Sequence, residues 1–310
     1  MSIFLVFIAA CFCSASNFCM RRSIDQGGTT RAFLVLGMGI GCAVNILLGP
    51  LRTQDFAINP FILILGISAG LVYSFMFEAL GKALEKGPSG LTFSILSGST
   101  VFPGVVMSLY FGTAFGFVYT FWHAVGSLIV LAGLFWASRG FQGMEHFRAW
   151  VFFASTMFCL HIGLLVIFQW RALLMNFPYF EGGWLSFEET HAKSQWFLPI
   201  MFGVAMLMQL YGFLKKEKRA LQKPEVFNGM AGGFANSLGT FFLVWATEAA
   251  SSLEHAVIYP AFSVLVILLS NLWSQKIYQE TVNWKACRVC ALGLLVATVD
   301  WKAVLAAVGL

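Results

Sequence analysis

Charge is what this sequence has least of: Asp, Glu, Lys and Arg make up 11% of its residues, against 59% hydrophobic ones. A water-soluble chain of this length carries about twice that charged fraction, and a mean hydropathy of +0.79 excludes water as the main solvent. Asp is rarer still, at Asp25, Asp55 and Asp300 only, and no DxxD or HExxH pattern occurs. Catalysis by paired carboxylates or a metal set is therefore not expected, and the chain does not read as an enzyme or as a holder of a cofactor. No GxxxxGKS or GxxxxGKT loop is present, so this chain does not hydrolyse ATP by that device. Cysteine supplies no extracellular framework: Cys11, Cys13, Cys19, Cys42, Cys159, Cys287 and Cys290 lie in apolar runs and read as helix-packing residues, with no metal site expected. No basic residue precedes the first apolar run, whereas Arg21 and Arg22 follow it. A signal peptide has the reverse order, so the first run is expected to stay as a span, despite the lipoprotein-like Ile8-Ala9-Ala10-Cys11.

What is there is apolar length. A hydrocarbon core about 30 Å thick needs about 20 apolar residues per helix, and ten such runs follow one another. The expected spans are Ile3 to Met20, Ala32 to Leu51, Phe61 to Gly81, Leu91 to Phe111, Phe117 to Ala137, Trp150 to Gln169, Trp196 to Leu214, Phe227 to Thr247, Ala256 to Leu272 and Trp284 to Val299. The expected fold is an all-α polytopic membrane protein. Its partner is the lipid bilayer, as a monomer or a homodimer. A net charge of +5 does not signal nucleic acid, because the positive residues cluster at the ends of apolar runs. All Lys and Arg except Arg52, Arg171, Lys193 and Lys302 fall in the connections after odd-numbered spans. The positive-inside rule then puts those connections in the cytoplasm and both termini outside. The longest break, 171–195, carries Glu181, Glu188 and Glu189 and is expected outside. Trp150, Trp170, Trp196, Trp284 and Trp301 stand near span ends, where aromatic belts lie.

Two stretches echo each other. Phe77-Glu78-Ala79-Leu80, then Ser94 to Pro103, then Trp122-His123-Ala124 parallel Val244-Trp245-Ala246-Thr247, then His255 to Ser263, then Trp284-Lys285-Ala286. The implied units are 1–138 and 150–310, joined by a linker at 139–149. A unit of five helices is odd, so the second copy enters the membrane inverted, an architecture of secondary transporters. Pro103 and Pro260 occupy matching helices, where each removes a backbone donor and favours a bend.

Several soft tokens occur together: Ser14-Ala15-Ser16-Asn17-Phe18 closing span 1, Ala79-Leu80 ending span 3, proline in spans 4 and 9, and Gln279-Glu280 before span 10. In these the chain resembles the EamA-like ten-helix members of the drug/metabolite transporter superfamily. The resemblance implies alternating access, with spans 1 to 4 and 6 to 9 around the site and spans 5 and 10 buttressing them. It implies a location in the cell membrane, the inner membrane of a bacterium. Gly112-Thr113 stands where family members often carry Gly-Glu, and Cys13-Ser14 replaces the helix-1 glutamate of the small multidrug members.

Ionisable groups inside spans are few. His161, near the middle of span 6, is the candidate for proton coupling or solute contact, the alternative being a hydrogen bond between helices. Glu78, one turn before Lys82, and Glu248, similarly placed, read as interfacial carboxylates. Candidate solute-binding residues are Asn17, Asn45, Ser97, Thr100, His161, Gln209, Asn236, Tyr259 and Ser263, each equally able to join helices. The expected activity is secondary-active transport of a small polar organic metabolite. Amino acids, sugars, nucleosides and S-adenosylmethionine-like molecules are not ranked by these residues, and a proton is the candidate coupling partner. A membrane channel or a structural membrane subunit is the alternative.

Overall fold

In hydrocarbon, backbone N–H and C=O groups find no water, and an apolar chain satisfies them within its own helices. The computed structural model describes residues 2–111, 121–138, 146–176, 194–250, 255–298 and 301, and among them there is helix and no strand. Eleven α-helices occur among these residues: α1 Ser2–Asp25, α2 Thr30–Ile46, α3 Pro60–Lys86, α4 Ser89–Gly98, α5 Phe102–Phe111, α6 Phe121–Ser138, α7 Phe147–Asn176, α8 Phe197–Lys216, α9 Lys223–Glu248, α10 His255–Tyr278 and α11 Trp284–Thr298. Gly112-Thr113, Glu181, Glu188, Glu189 and most of the 139–149 linker lie outside the described residues.

Seven of the helical stretches are long and apolar enough to cross a membrane, covering α1, α2, α3, α4 with α5, α7, α8 and much of α10. The chain is thus a multi-pass membrane protein. The other three expected spans correspond to α6, α9 and α11. In α9 the shortfall is chemical, since Asn228, Gly229, Gly232, Gly233, Asn236, Ser237 and Gly239 dilute its apolar residues. For α11 it is length, at 15 residues.

Local chemistry sets the ends. Thr29 caps α2 by accepting from the Ala32 N–H at 3.3 Å, and Asn59, followed by Pro60, caps α3 through the Ile62 N–H at 2.8 Å. Pro103 cannot donate to the carbonyl one turn back. The chain accordingly passes from α4 to α5 through a 3-10 turn at Ser99–Val101. There the Ser99 hydroxyl donates to the Leu96 carbonyl at 2.6 Å and the Thr100 hydroxyl to that of Ser97 at 2.8 Å. Pro260, by contrast, lies in the second turn of α10, which is helical throughout.

The bundle is apolar outside, as lipid as a solvent demands, and buries polar side chains among a large apolar core. Asn45, Ser97, Thr100, Gln209, Ser237, Ser263 and Asn271 are buried, while Phe4, Ile64, Leu109, Phe152, Phe227 and Leu295 are more than half exposed. One belt candidate departs from expectation: Trp150 is 1% exposed. It fills the space beside Gly87 and donates its indole N–H to Thr92 at 3.0 Å, so it packs helices instead of facing the headgroups.

Contacts fix the running directions. The helix α2 meets α9 in rising order, Phe33 against Gly229 and Gly232, Gly37 against Gly233, and Gly41 against Ser237, so the two are parallel. The pair α3 and α8 is parallel as well, with Gly66 on Phe197 and Ile200, and Gly70 on Met201 and Val204. The pairs α1 with α9, α2 with α8, and α6 with α11 run in opposite senses: Cys13 meets Gly239 and Cys19 meets Gly232, Gly41 meets Phe202 and Gly49 meets Gln195, Gly126 meets Gly293 and Gly133 meets Cys290. The same holds for α4 and α10, joined by Ser89 to Ser274, Asn271 to Ser94 and Thr100 to Ser263. The helix α3 also packs on α7, and α1 on α10.

Candidate functional site

Two chambers follow from this arrangement. The inner one lies at mid-bundle and is lined by Cys13 and Asn17 of α1, Tyr73 and Phe77 of α3, Ser97 of α4, His161 and Phe168 of α7, Asn236 and Thr240 of α9, and Phe262 of α10. Its volume is about 70 Å³, room for a few waters and well under the about 300 Å³ at which small-molecule sites begin. Asn236 donates to the Tyr73 hydroxyl at 2.5 Å across it. His161 Nδ1 lies 2.6 Å from the Ser99 hydroxyl and 3.0 Å from the Leu96 carbonyl. A carbonyl only accepts, so Nδ1 carries the hydrogen, and Nε2 of the neutral ring is left as an acceptor. His161 therefore braces the α4–α5 break while lining the chamber.

The outer chamber, about 250 Å³, sits at the C-terminal ends of α2, α7 and α9. Asn45, Arg52, Arg171, Ser194, Phe197, Phe241, Trp245 and Glu248 line it. Arg171, with its side chain 5% exposed, binds Glu248 at 2.5 Å, donates to the Ser194 carbonyl at 3.3 Å and lies 4.9 Å over the Phe197 ring. Among the described residues its Nε–H has no partner, nor has the carbonyl oxygen of the Asn45 side chain. Phe168 of the inner chamber and Phe197 of the outer one meet edge to face, ring centres 5.7 Å apart, so a single aromatic layer parts the chambers here.

The opposite end is sealed more deeply. Tyr73 and Phe77 meet edge to face with ring centres 4.8 Å apart, and Trp273 touches Phe18, Phe93 and Tyr278 at 5.5, 5.6 and 5.8 Å. Beyond these aromatics lies an ionic layer. Glu225, buried, accepts from the backbone N–H groups of Thr29 at 2.8 Å and Gln222 at 2.7 Å, and from Arg219 at 2.9 Å. Burial pushes the Glu225 pKa up, but the Arg219 hydrogen bond, the two backbone donors and the Arg219 charge outweigh it, leaving the pKa below the usual carboxylate range. Glu280 accepts from Ser89 N at 3.1 Å and Gly90 N at 3.0 Å, supplying the cap that α4 lacks in its own sequence. Glu78 pairs with Lys82 at 3.0 Å and also with Arg31.

Of the nine candidates read from the sequence, Asn17, Ser97, His161 and Asn236 share the inner chamber and Asn45 lines the outer one. Of the other four, Gln209, Thr100 and Ser263 join helices and Tyr259 does not. Gln209 donates to the Ser74 hydroxyl at 2.8 Å, Thr100 bonds Ser263, Ser263 donates to the Tyr259 carbonyl at 2.9 Å, and the Tyr259 hydroxyl is buried with no partner among the described residues. Sequence reasoning missed Tyr73, Thr240, Arg171 and the pairing of Glu248. Two basic residues, Arg52 and Arg171, on the side otherwise poor in them were the available signal for the outer chamber.

No protein-family model matches the chain, and no curated protein matches it. Among solved structures, one described only as "Crystal structure of protein" superposes with a TM-score of 0.64 at 16% identity, covering 96% of this chain and 98% of that one. At that identity the likeness speaks to the fold alone.

Proposed function

We propose that the chain is a secondary-active carrier of a small polar organic metabolite, EamA-like, with ten spans arranged as two inverted five-helix repeats. Counting α4 and α5 as one bent span gives ten passes, and each parallel or antiparallel pair above fits up-and-down alternation of the spans it joins. Exchanging each span of one half for its counterpart in the other turns the α1–α9 contact into α7–α3, and α2–α9 into α8–α3. It also maps α6–α11, α2–α8 and α4–α10 onto themselves. An inverted repeat predicts that exchange, because its two halves make reciprocal contacts.

The single observation that carries the proposal is the asymmetric sealing of a polar mid-bundle chamber. One aromatic layer, Phe168 on Phe197, separates it from an outer vestibule, while aromatic and ionic layers close the other end. An alternating-access carrier caught open to one side has that form. A channel requires a continuous polar path, which the Phe168–Phe197 contact interrupts.

The test is flux. Purified protein in liposomes is expected to accumulate at least one labelled metabolite saturably and to exchange it against unlabelled solute inside. Non-saturable leak, or no flux across amino acids, sugars and nucleosides, overturns the reading. His161→Ala is expected to lose the response to a pH gradient while keeping exchange; gradient response at the wild-type level removes His161 as the coupling residue.

A further inference from the structure

We propose that the groove between α1 and α10 seats one anionic phospholipid, its acyl chain lying along the groove and its phosphate held by Lys276 and Arg22. The two helices run in the same direction: Ser14 meets Trp273, Phe18 meets Trp273 and Tyr278, and Arg21 meets Tyr278. Beside this seam lies a groove of about 290 Å³, lined by Ser14 of α1 and by Leu269, Leu272, Trp273, Lys276 and Ile277 of α10. Leu272 and Ile277 are 42% and 57% exposed, and both helices carry stretches long and apolar enough to span a membrane. Hydrocarbon therefore fills the groove, and the headgroup is what its residues can select. The site requires only that α1 and α10 face lipid and does not depend on a transport activity.

Charge selects the lipid. Ser14, Phe18 and Arg22 follow one another at helical spacing on α1, as Leu269, Leu272, Trp273 and Lys276 do on α10. Because the helices are parallel, both stripes end in a cation at the same end of the bundle, the one where the sequence concentrates Lys and Arg. Lys276 is exposed and makes no hydrogen bond or ion pair among the described residues. Arg22, exposed as well, lies 6.0 Å over the Phe18 ring, which meets the Trp273 ring at 5.5 Å. The neighbouring carboxylates are engaged, Asp25 with Arg21 at 3.1 Å and Glu280 with the backbone of Ser89 and Gly90. Helix α1 has no other carboxylate, and α10 has none. In the floor, the Ser14 hydroxyl is taken by the Trp273 indole N–H at 3.0 Å. What remains is an apolar furrow with two free cations at its mouth. Lys276 can lay its stem along the furrow and lift its ammonium to the headgroup, and the Arg22 guanidinium suits a phosphate. A zwitterionic headgroup brings a cation of its own, which these two repel.

The experiment uses the full chain, purified in detergent and freed of lipid. Native mass spectrometry counts bound lipid during titration with phosphatidylglycerol or with phosphatidylcholine of identical chains. Phosphatidylglycerol is expected to saturate one site at least about fivefold more tightly, the effect of one basic residue at a lipid surface. Lys276→Gln and Arg22→Gln are each expected to weaken phosphatidylglycerol about fivefold and to leave phosphatidylcholine unchanged. Leu272→Trp, which fills the groove, is expected to weaken both lipids. Lys215→Gln, at the end of α8, is expected to bind as the wild type does. All four positions are exposed, so the buried packing is left alone. Equal binding of the two lipids overturns the proposal, as does wild-type affinity in both Lys276→Gln and Arg22→Gln or in Leu272→Trp. A loss in Lys215→Gln equal to that in Lys276→Gln also overturns it, by assigning the attraction to the whole basic face. A dimer that lipid does not displace and Leu272→Trp abolishes gives the groove to a second copy of the chain instead.

Discussion

Gln279 stands at φ 53, in the left-handed region where a Cβ costs about 1 kcal/mol and glycine costs little. Directly after it Glu280 turns both carboxylate oxygens onto the start of α4. Gln279→Gly is accordingly expected to stabilise the protein by up to about 1 kcal/mol, and Glu280→Ala to destabilise it by about 1 kcal/mol through loss of a cap. Thermal unfolding in detergent checks both, and a lower melting point for Gln279→Gly contradicts the first. Glu225 adds a pH dependence. Its folded pKa lies below its unfolded value of about 4.3, so its contribution is present above that value and is lost as pH falls through the folded pKa. Stability is expected to drop on acidification below about pH 4.3. Glu225→Gln is expected to flatten that drop and to cost about 2 kcal/mol at neutral pH. The Gln279-Glu280 pair was visible in the sequence as a turn token. Glu225 was not, because nothing in its neighbourhood shows that its carboxylate crosses to the turn between α1 and α2.

Among elements, α9 is a helix where the sequence predicts a span, with a composition too dilute in apolar residues to count as one. Its glycines dilute the apolar signal of a span, and the same glycines let it approach α2 closely. A Cβ on Gly233 would come 2.5 Å from the Gly37 Cα, a backbone atom that cannot turn aside. Gly233→Val is expected to destabilise the protein by about 3 kcal/mol, at the upper end of overpacking effects. Gly163 of α7 is the contrast: a methyl group there would meet no described atom within 4 Å, and Gly163→Ala is expected to gain up to about 1 kcal/mol of helix propensity. If both substitutions lower the melting temperature alike, close packing at Gly233 is not what holds α2 to α9. Element existence was legible because apolar runs of membrane length leave few alternatives. The paths of the polar contacts were not, since Asn, Ser and Gln serve a chamber and a helix crossing with the same chemistry. Asn236 and Gln209 ended in those two different roles.

At the scale of the molecule, charge asymmetry and chamber asymmetry make one joint statement. The ionic layer built from Arg31, Glu78, Glu225 and Glu280 lies at the end where the sequence concentrates Lys and Arg, and the vestibule opens at the other end, beside Arg52 and Arg171. If the positive-inside rule holds, the sealed end is cytoplasmic and the vestibule faces outward. Single cysteines read this directly, in a background where the seven native ones are replaced, since Cys11 and Cys159 are exposed. Arg52→Cys is expected to react with a membrane-impermeant maleimide added outside intact cells, and Lys216→Cys only after permeabilisation. The reversed pattern places the vestibule in the cytoplasm, which for the proposed carrier is an inward-open form. Reaction of both from the same side, without permeabilisation, breaks the alternation of passes on which the proposed inverted repeat depends, because Arg52 follows an even-numbered expected span and Lys216 an odd-numbered one.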